Sequence, residues 1–521
     1  MANRWPAGED APVKRTTTLV AAALASAALL AGGLSVTSAA AVEKPSASAR
    51  KALSPLHATH GKRAAIRNAD GAQVLLRGVN VNGLAEYYQP NPAYPAVLPQ
   101  TRADFEAIAR LGFNSVRLLV SWSELQPTRG AYDKAYVAKV RQAVRWAADY
   151  GMYSIVDMHQ DAWGVAVDTP IGTVCPDGAK PNNGWDGAPA WATITDGAST
   201  CTVGEREVAP AVRKAWQHFY DDSAGIQTQL VKTWGRLAQD FAADPNVAGF
   251  DLLNEPGFGD DLMDTDGLGH FYDRAIKAIR AGERKGRGFS HVVFWEPSVL
   301  WSASGKWATP EPGFTKDKNL VFAPHIYSES LNSSSIPDGF ANAGEVAKAH
   351  GVPVWSGEWG FFPSDPAQAA AKVAAYGAAE DASLYGGAWW VWEQACGNPH
   401  MINAPGGTPN PISQSLIRFE CPSDKPLGTP AAFGAVLSRS VPRAVPGRIT
   451  KLRSDGTTGA FDLQGVYGAG ADRCGLEVFV PKRFAGKRVH ASGITQVRRT
   501  RHLGNTVLRG CVADRFRLRI G

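Results

Sequence analysis

Val-Ala-Gly-Phe-Asp-Leu-Leu-Asn-Glu-Pro, residues 247–256, is an apolar run of strand length that stops at an amide, a carboxylate and a proline. Seven further runs of strand character occur at 74–81, 115–120, 153–158, 291–295, 320–324, 353–356 and 387–392. Amphipathic stretches fall between most of them, at 101–111, 134–150, 226–242, 269–281 and 366–385. Strands that alternate with helices build a parallel sheet. Eight of them within residues 62–441 predict an α/β fold, the (β/α)8 or TIM barrel. The long stretch after 153–158, which holds the first two cysteines, is then an insertion on the face where the strands end.

The composition around this barrel is that of a globular protein. With 521 residues, 44% hydrophobic and 20% charged, disorder, collagen and coiled coil are excluded. The 16 tryptophans point toward carbohydrate, because flat indoles are platforms for sugar rings. Residues 1–41 read as a secretory signal: Arg4, Lys14 and Arg15, an Ala/Leu-rich run over 19–34, and the small residues Ala39, Ala40 and Ala41. The protein is expected to be secreted, with residues 42–61 as a flexible leader. Six cysteines in an exported chain imply disulfides, and pairing in sequence order keeps each bridge inside one structural unit: Cys175 with Cys201, Cys396 with Cys421, Cys474 with Cys511. No metal-ligand spacing is present, and neither metal nor cofactor is expected.

Charge divides the chain. Residues 442–521 carry 16 basic against 5 acidic side chains, a net of +11, while everything before them nets −5. Short apolar, β-branched and basic runs at 460–467, 476–481, 488–492, 506–509 and 515–520 predict a small C-terminal β-sandwich over 442–521.

Barrel enzymes do their chemistry where strands end. At those ends lie Arg117 and Trp122; Asp157, His159, Gln160 and Asp161; Asn254 and Glu255; His325 and Tyr327; Glu358; and Trp390 and Trp392. Glu255 and Glu358, on the fourth and seventh strands, are the two carboxyls that glycoside cleavage requires. Tyr327 and Arg117 are available as donors that keep Glu358 ionised as nucleophile, leaving Glu255 as the acid and Asn254 to bind a sugar hydroxyl.

Arg117, His159, Asn254-Glu255-Pro256, His325-x-Tyr327, Glu358 and Trp390 resemble, in order and strand position, the constellation of glycoside hydrolase family 5. Asp157-Met158-His159-Gln160-Asp161, residues 187–192 and the basic segment opening at Pro442 resemble, more narrowly, the endoglycoceramidase branch. That resemblance implies a retaining endo-β-glycosidase that releases the glycan of a glycosphingolipid from ceramide, with Glu255 as acid/base and Glu358 as nucleophile. It implies Arg117 and Tyr327 as partners of Glu358, with His159, Asn254 and Trp390 around the sugar next to the cut. Where better-known members of the branch carry Tyr-Ser after the Asp, this chain has Ala162-Trp163-Gly164.

The expected partner is glycolipid at a membrane or micelle surface, drawn there by the +11 segment, since each basic residue near an anionic surface contributes about 1 kcal/mol. Apolar loops at Tyr87-Tyr88, Val97-Leu98 and Trp359-Gly360-Phe361-Phe362 are expected to line a lipid slot. No nucleic-acid partner is expected, and the protein is read as a monomer. The alternatives are a cellulase- or mannanase-type endoglycanase with the same glutamates, and a non-catalytic sugar binder on an inactive barrel.

Overall fold

The computed structural model describes residues 53–361, 366–402, 404–409, 415–423 and 425–521, so the signal expected over 1–41 lies outside the described residues. Three short antiparallel strands come first: β1 (Leu56–Ala58), β2 (Ile66–Asn68) and β3 (Ala72–Gln73). The expected parallel strands follow as β4 (Arg77–Val81), β5 (Ser115–Ser121), β6 (Tyr153–His159), β7 (Val247–Asp251), β8 (Val292–Trp295), β9 (Leu320–Phe322), β10 (Trp355–Trp359) and β11 (Gly386–Trp389). They hydrogen-bond in the order β10-β11-β4-β5-β6-β7-β8-β9. The remaining seam, between β9 and β10, is bridged at Phe322 and Val354 and by the Ile326 N–H donating to Glu358 O.

All seven residues of β5 and of β6 are buried, as both faces of a parallel barrel strand must be. The surrounding helices are fixed by their caps. Asp133 accepts from the Ala135 and Tyr136 N–H groups ahead of Lys134–Asp149, and Ser335 accepts from the Asp338 N–H ahead of Ile336–His350. Inside the barrel the lower layer is apolar: Ile155, Val292, Phe294, Val321, Trp355 and Ala388 meet Leu56, Ala58, Ile66, Val74 and Leu76. The upper layer is polar and carries the site.

A hairpin of β12 (Arg418–Glu420) and β13 (Lys425–Gly428) precedes β14 (Val441–Pro446), β15 (Arg448–Ser454), β16 (Phe461–Val466), β17 (Leu476–Val480), β18 (Val489–His502) and β19 (Asn505–Ile520). Here the structure departs from the sequence reading in three ways. The tail is an antiparallel sheet ordered β1-β2-β3-β14-β17-β19-β16-β15, with β18 on β19, so residues 56–73 belong to the same sheet as the tail. The leader therefore ends before Leu56, because β1 buries Leu56 and Ala58 in the barrel floor. The strand expected over 74–81 is split. Val74 and Leu76 enter the barrel core while Leu75 enters the core of the antiparallel sheet, so the chain changes layers there. The runs at 506–509 and 515–520 are one strand of 16 residues.

The sheet packs beneath the end where barrel strands begin. Asn505 donates to Arg110 O (2.9 Å), and the Phe479 ring lies so close to Gly112 that a Cβ there would meet it at 2.2 Å. Gly112 also has φ +103°, so the turn into β5 needs glycine twice over. Barrel and sheet form one compact unit, Ala52–Gly521.

Candidate active site

Arg117 is the centre of the polar layer. It is the third residue of β5, points into the barrel and is fully buried, with its guanidinium divided among four carboxylates. Nε donates to Asp251 (2.9 Å) and Nη1 to Glu358 (2.8 Å), while Nη2 lies 2.7 Å from Glu296 and 3.0 Å from Asp157. A buried arginine can hold several acids charged at once because its planar fork is never deprotonated. Asp157, Asp251 and Glu296 are also spaced as metal ligands, but Arg117 pairs with each of them.

Glu358, at the end of β10, has both oxygens occupied: Arg117 donates to Oε1 and the Tyr327 hydroxyl to Oε2, each at 2.8 Å. Burial pushes its pKa up to about 7, against the charges of His325 and Arg117. Glu255 follows β7 with φ +34°, a backbone strain held by three hydrogen bonds with two neighbours. Glu296 accepts from its N–H (2.8 Å), and the Gln160 amide donates to Glu255 O (2.8 Å) and Asn254 O (2.7 Å). The Glu255 carboxylate accepts from Ser302 Oγ and from His325 Nδ1 (2.8 Å). Burial works to raise its pKa, but His325 and Ser302 hold it below the usual carboxylate range.

His325 bridges the pair, with Nδ1 3.4 Å from Glu358 and Nε2 3.2 Å from Glu296. Burial disfavours its charge, yet Glu296, Glu358 and Glu255 together raise its pKa well above that of an ordinary histidine. One oxygen each of Glu255 and Glu358 and a ring nitrogen of His325 lie within 4.8 Å of one another.

Glu255, Glu358 and Tyr327 open into a pocket of about 680 Å³, with His325 buried behind them. Its far wall is the insertion after β6, including Asn182, Trp185 and Arg206. Arg206 pairs with Asp161 (2.6 Å) and lies on the Trp185 ring, 3.2 Å from its centroid. Burial would raise Asp161, but Arg206 and His159 bring it down to about 2. His159 donates from Nδ1 to Asp157 (2.8 Å), and its ring stacks on Trp390 at 5.6 Å and 12°. The six cysteines pair as expected: Cys175–Cys201 ties the insertion, Cys396–Cys421 the loop beside it, and Cys474–Cys511 the antiparallel sheet.

The predicted residues Arg117, Asp157, His159, Asp161, Asn254, Glu255, His325, Tyr327, Glu358 and Trp390 are thus one connected cluster. Some expectations fail. Trp122 packs in the outer core against Trp163 and Trp191, and Trp392 is buried in that core, so neither reaches the pocket. Of the residues expected to line a lipid slot, Tyr87, Trp359 and Phe361 are buried, Trp359 stacked on Tyr376 at 3.8 Å, and so cannot line one, while Tyr88, Val97 and Leu98 are half-buried; Phe362 lies outside the described residues. Sequence reasoning missed Glu296, Asp251, Ser302 and Arg206, together with Asn80, which accepts from Arg117 Nη1 (3.1 Å), and His400, which lines the pocket with its ring centroid 4.0 Å from that of Trp185. Glu296 was within reach, since Glu296-Pro297 follows its strand as Glu255-Pro256 does.

Residues 67–395 match the cellulase family, glycosyl hydrolase family 5. An endoglycoceramidase I of Rhodococcus hoagii is 30% identical over 273 residues, 49% of this chain and 50% of that protein. The chain spans about half the length of the curated relatives it matches. The crystal structure of an endogalactoceramidase superposes with a TM-score of 0.83 at 44% identity, covering 90% of this chain and 100% of that one. Endo-glycoceramidase II from Rhodococcus sp., in a complex with a cellobiose-like isofagomine, gives a TM-score of 0.67 at 25% identity, covering 87% and 98%.

Proposed function

The chain belongs to glycosyl hydrolase family 5, and on that footing we propose that it is a retaining endo-β-glycosidase that cleaves glycosphingolipids between glycan and ceramide. The observation that carries the mechanism is the spacing of the two glutamates. Their nearest oxygens lie within 4.8 Å, which suits the roughly 5–5.5 Å of retaining enzymes and leaves no room for the water that inverting enzymes place between carboxylates ~6.5–9.5 Å apart. The observation that favours the glycolipid over a soluble glycan is the likeness to an endogalactoceramidase at 44% identity along nearly the whole described chain.

Glu358 is the nucleophile. Arg117 and Tyr327 fix both its oxygens, so one lone pair is aimed at the anomeric carbon without reorganisation. Glu255 is the acid and then the base. His325 Nδ1 lies 2.8 Å from the Glu255 carboxylate and is placed to exchange a proton with it as the glycosidic oxygen is protonated. Once Glu358 is esterified its charge is gone, and Glu255 accepts a proton from water for the second step. Protein side chains supply both nucleophile and proton, so the reaction needs no cofactor. His159, Asn254 and Trp390 surround the sugar at the cut. All these groups come from one chain, which fits a monomer. The three disulfides fit an exported protein, and among the described residues no helix is long and apolar enough to cross a membrane. The antiparallel sheet folded over its own core is read as a β-sandwich.

Mass spectrometry of products from a mixture of glycosphingolipids tests the reading. Intact oligosaccharide plus ceramide is expected, with the β-anomer appearing first by NMR. Activity confined to soluble glucan or mannan would make the protein an endoglycanase instead.

A further inference from the structure

The pocket wall continues outward as apolar surface on one side. The loops after β7, β8 and β9 are stitched together: the Val299 N–H donates to Pro256 O (2.9 Å), Thr265 Oγ1 to Thr309 O (3.1 Å) and Asn332 Nδ2 to Ser302 O (2.9 Å). On them Leu262, Met263, Trp307 and Leu331 are 41, 58, 53 and 49% exposed, among the most exposed large apolar side chains described. Val299, Ala303 and Leu331 carry this surface down to Glu255. Large apolar side chains gathered at the rim of a polar pocket mark an interaction site.

We infer that this rim is a docking face for a zwitterionic lipid surface. The inference rests on the proposed function, since Glu255 protonates the departing oxygen and so marks the end of the pocket through which ceramide leaves. Charge selects the kind of surface. Asp260, Asp261, Asp264 and Asp266 flank Leu262 and Met263, and the nearby cations are Lys214, paired to Asp260, Arg213, which donates to Gly259 O and Asp260 O, and Lys306 beside Trp307. This edge is net acidic and is repelled by anionic headgroups, while phosphocholine headgroups with no net charge admit its apolar side chains. The basic antiparallel sheet does not act here. It packs at the opposite end of the barrel, and a strand of the seven residues in β6 is roughly 23 Å long, well beyond the ~8 Å Debye length.

The test uses the full chain and phosphatidylcholine vesicles containing a glycosphingolipid, with binding read by co-sedimentation. Met263→Ser/Trp307→Ser should weaken vesicle binding at least about tenfold, the loss of two half-buried apolar side chains, and leave turnover of a soluble aryl glycoside within about twofold. Ile171→Ser/Val174→Ser, on the exposed surface of the insertion, should leave binding unchanged. Replacing part of the phosphatidylcholine by phosphatidylglycerol should not strengthen it. Unchanged binding by the first variant, loss of binding by the second, or several-fold tighter binding to phosphatidylglycerol would each overturn the docking face. Ceramide release from detergent solution alongside any of those results leaves the proposed function standing. Vesicle binding that follows the expected pattern with no ceramide released keeps the docking face and removes the function.

Discussion

Glu358 is buried and Glu255 partly exposed, both against the same histidine, and what separates them most is which donors hold their oxygens. Arg117 and Tyr327 leave Glu358 no freedom, whereas Glu255 takes a proton donor, His325, and a hydroxyl. Glu358→Ala should therefore abolish turnover on every substrate. Glu255→Ala should cost ~10²–10⁴-fold on the natural substrate yet still form the glycosyl-enzyme from an aryl glycoside with an acidic phenol. Azide should restore the second variant with a β-glycosyl azide and the first with the α-product, and the reverse pattern would exchange the two roles. Protonation gives a further check. Glu358 must be ionised to attack, and burial raises it to about 7, so kcat/KM for the aryl glycoside should fall as pH drops through about 7. An acid limb near 4.3, the ordinary glutamate value, would show that the site does not perturb this group. At this scale most of the site was legible because its members follow apolar runs directly. Arg206 and His400 were not, since irregular loops have no period to read. The tryptophan count pointed the right way for a poor reason: Trp216, Trp234, Trp295, Trp301, Trp355, Trp389 and Trp392 fill the core, while Trp185 and Trp390 line the pocket.

The eight barrel strands could be read because burial on both faces writes them as continuous apolar runs, and their helices because caps and amphipathic spacing frame them. The antiparallel strands were harder. β18 is exposed along most of its 14 residues and basic, so only its first few residues looked like a strand. Residues 74–76 looked like one strand with 77–81 because a hydrophobic pattern does not say which of two cores receives each side chain. The insertion after β6 depends on its staple more than on apolar burial, for Ile171, Val174 and Val203 are solvent-exposed. In a Cys175→Ser/Cys201→Ser variant, limited proteolysis under native conditions should cut within 165–209 and leave the barrel whole. Resistance equal to the parent would mean that Arg206 with Asp161 suffices to hold the wall.

For the molecule as a whole, the two-domain reading underestimates how far barrel and sheet depend on each other. Leu75 lies in the sheet's core, and the Phe479 ring covers Gly112. Deleting residues 442–521 should yield no soluble barrel on expression, whereas a folded, active product would show the sheet to be an independent accessory.

The pairing of β3 with β14 also sets an order of events in time. Val445 of β14 pairs with Gln73 of β3, and just beyond it the Ile449 N–H of β15 finds Gln73 Oε1 across 376 residues of chain. At ~5–20 residues per second a ribosome needs roughly 20–75 s to make that interval. Throughout it β3 has a free edge, and the plug that β1 and β2 push into the barrel is held from one side only. The floor of the catalytic barrel is thus among the last parts of the molecule to be secured, and a nascent chain interrupted before β14 is left with an open sheet edge beneath an otherwise finished barrel.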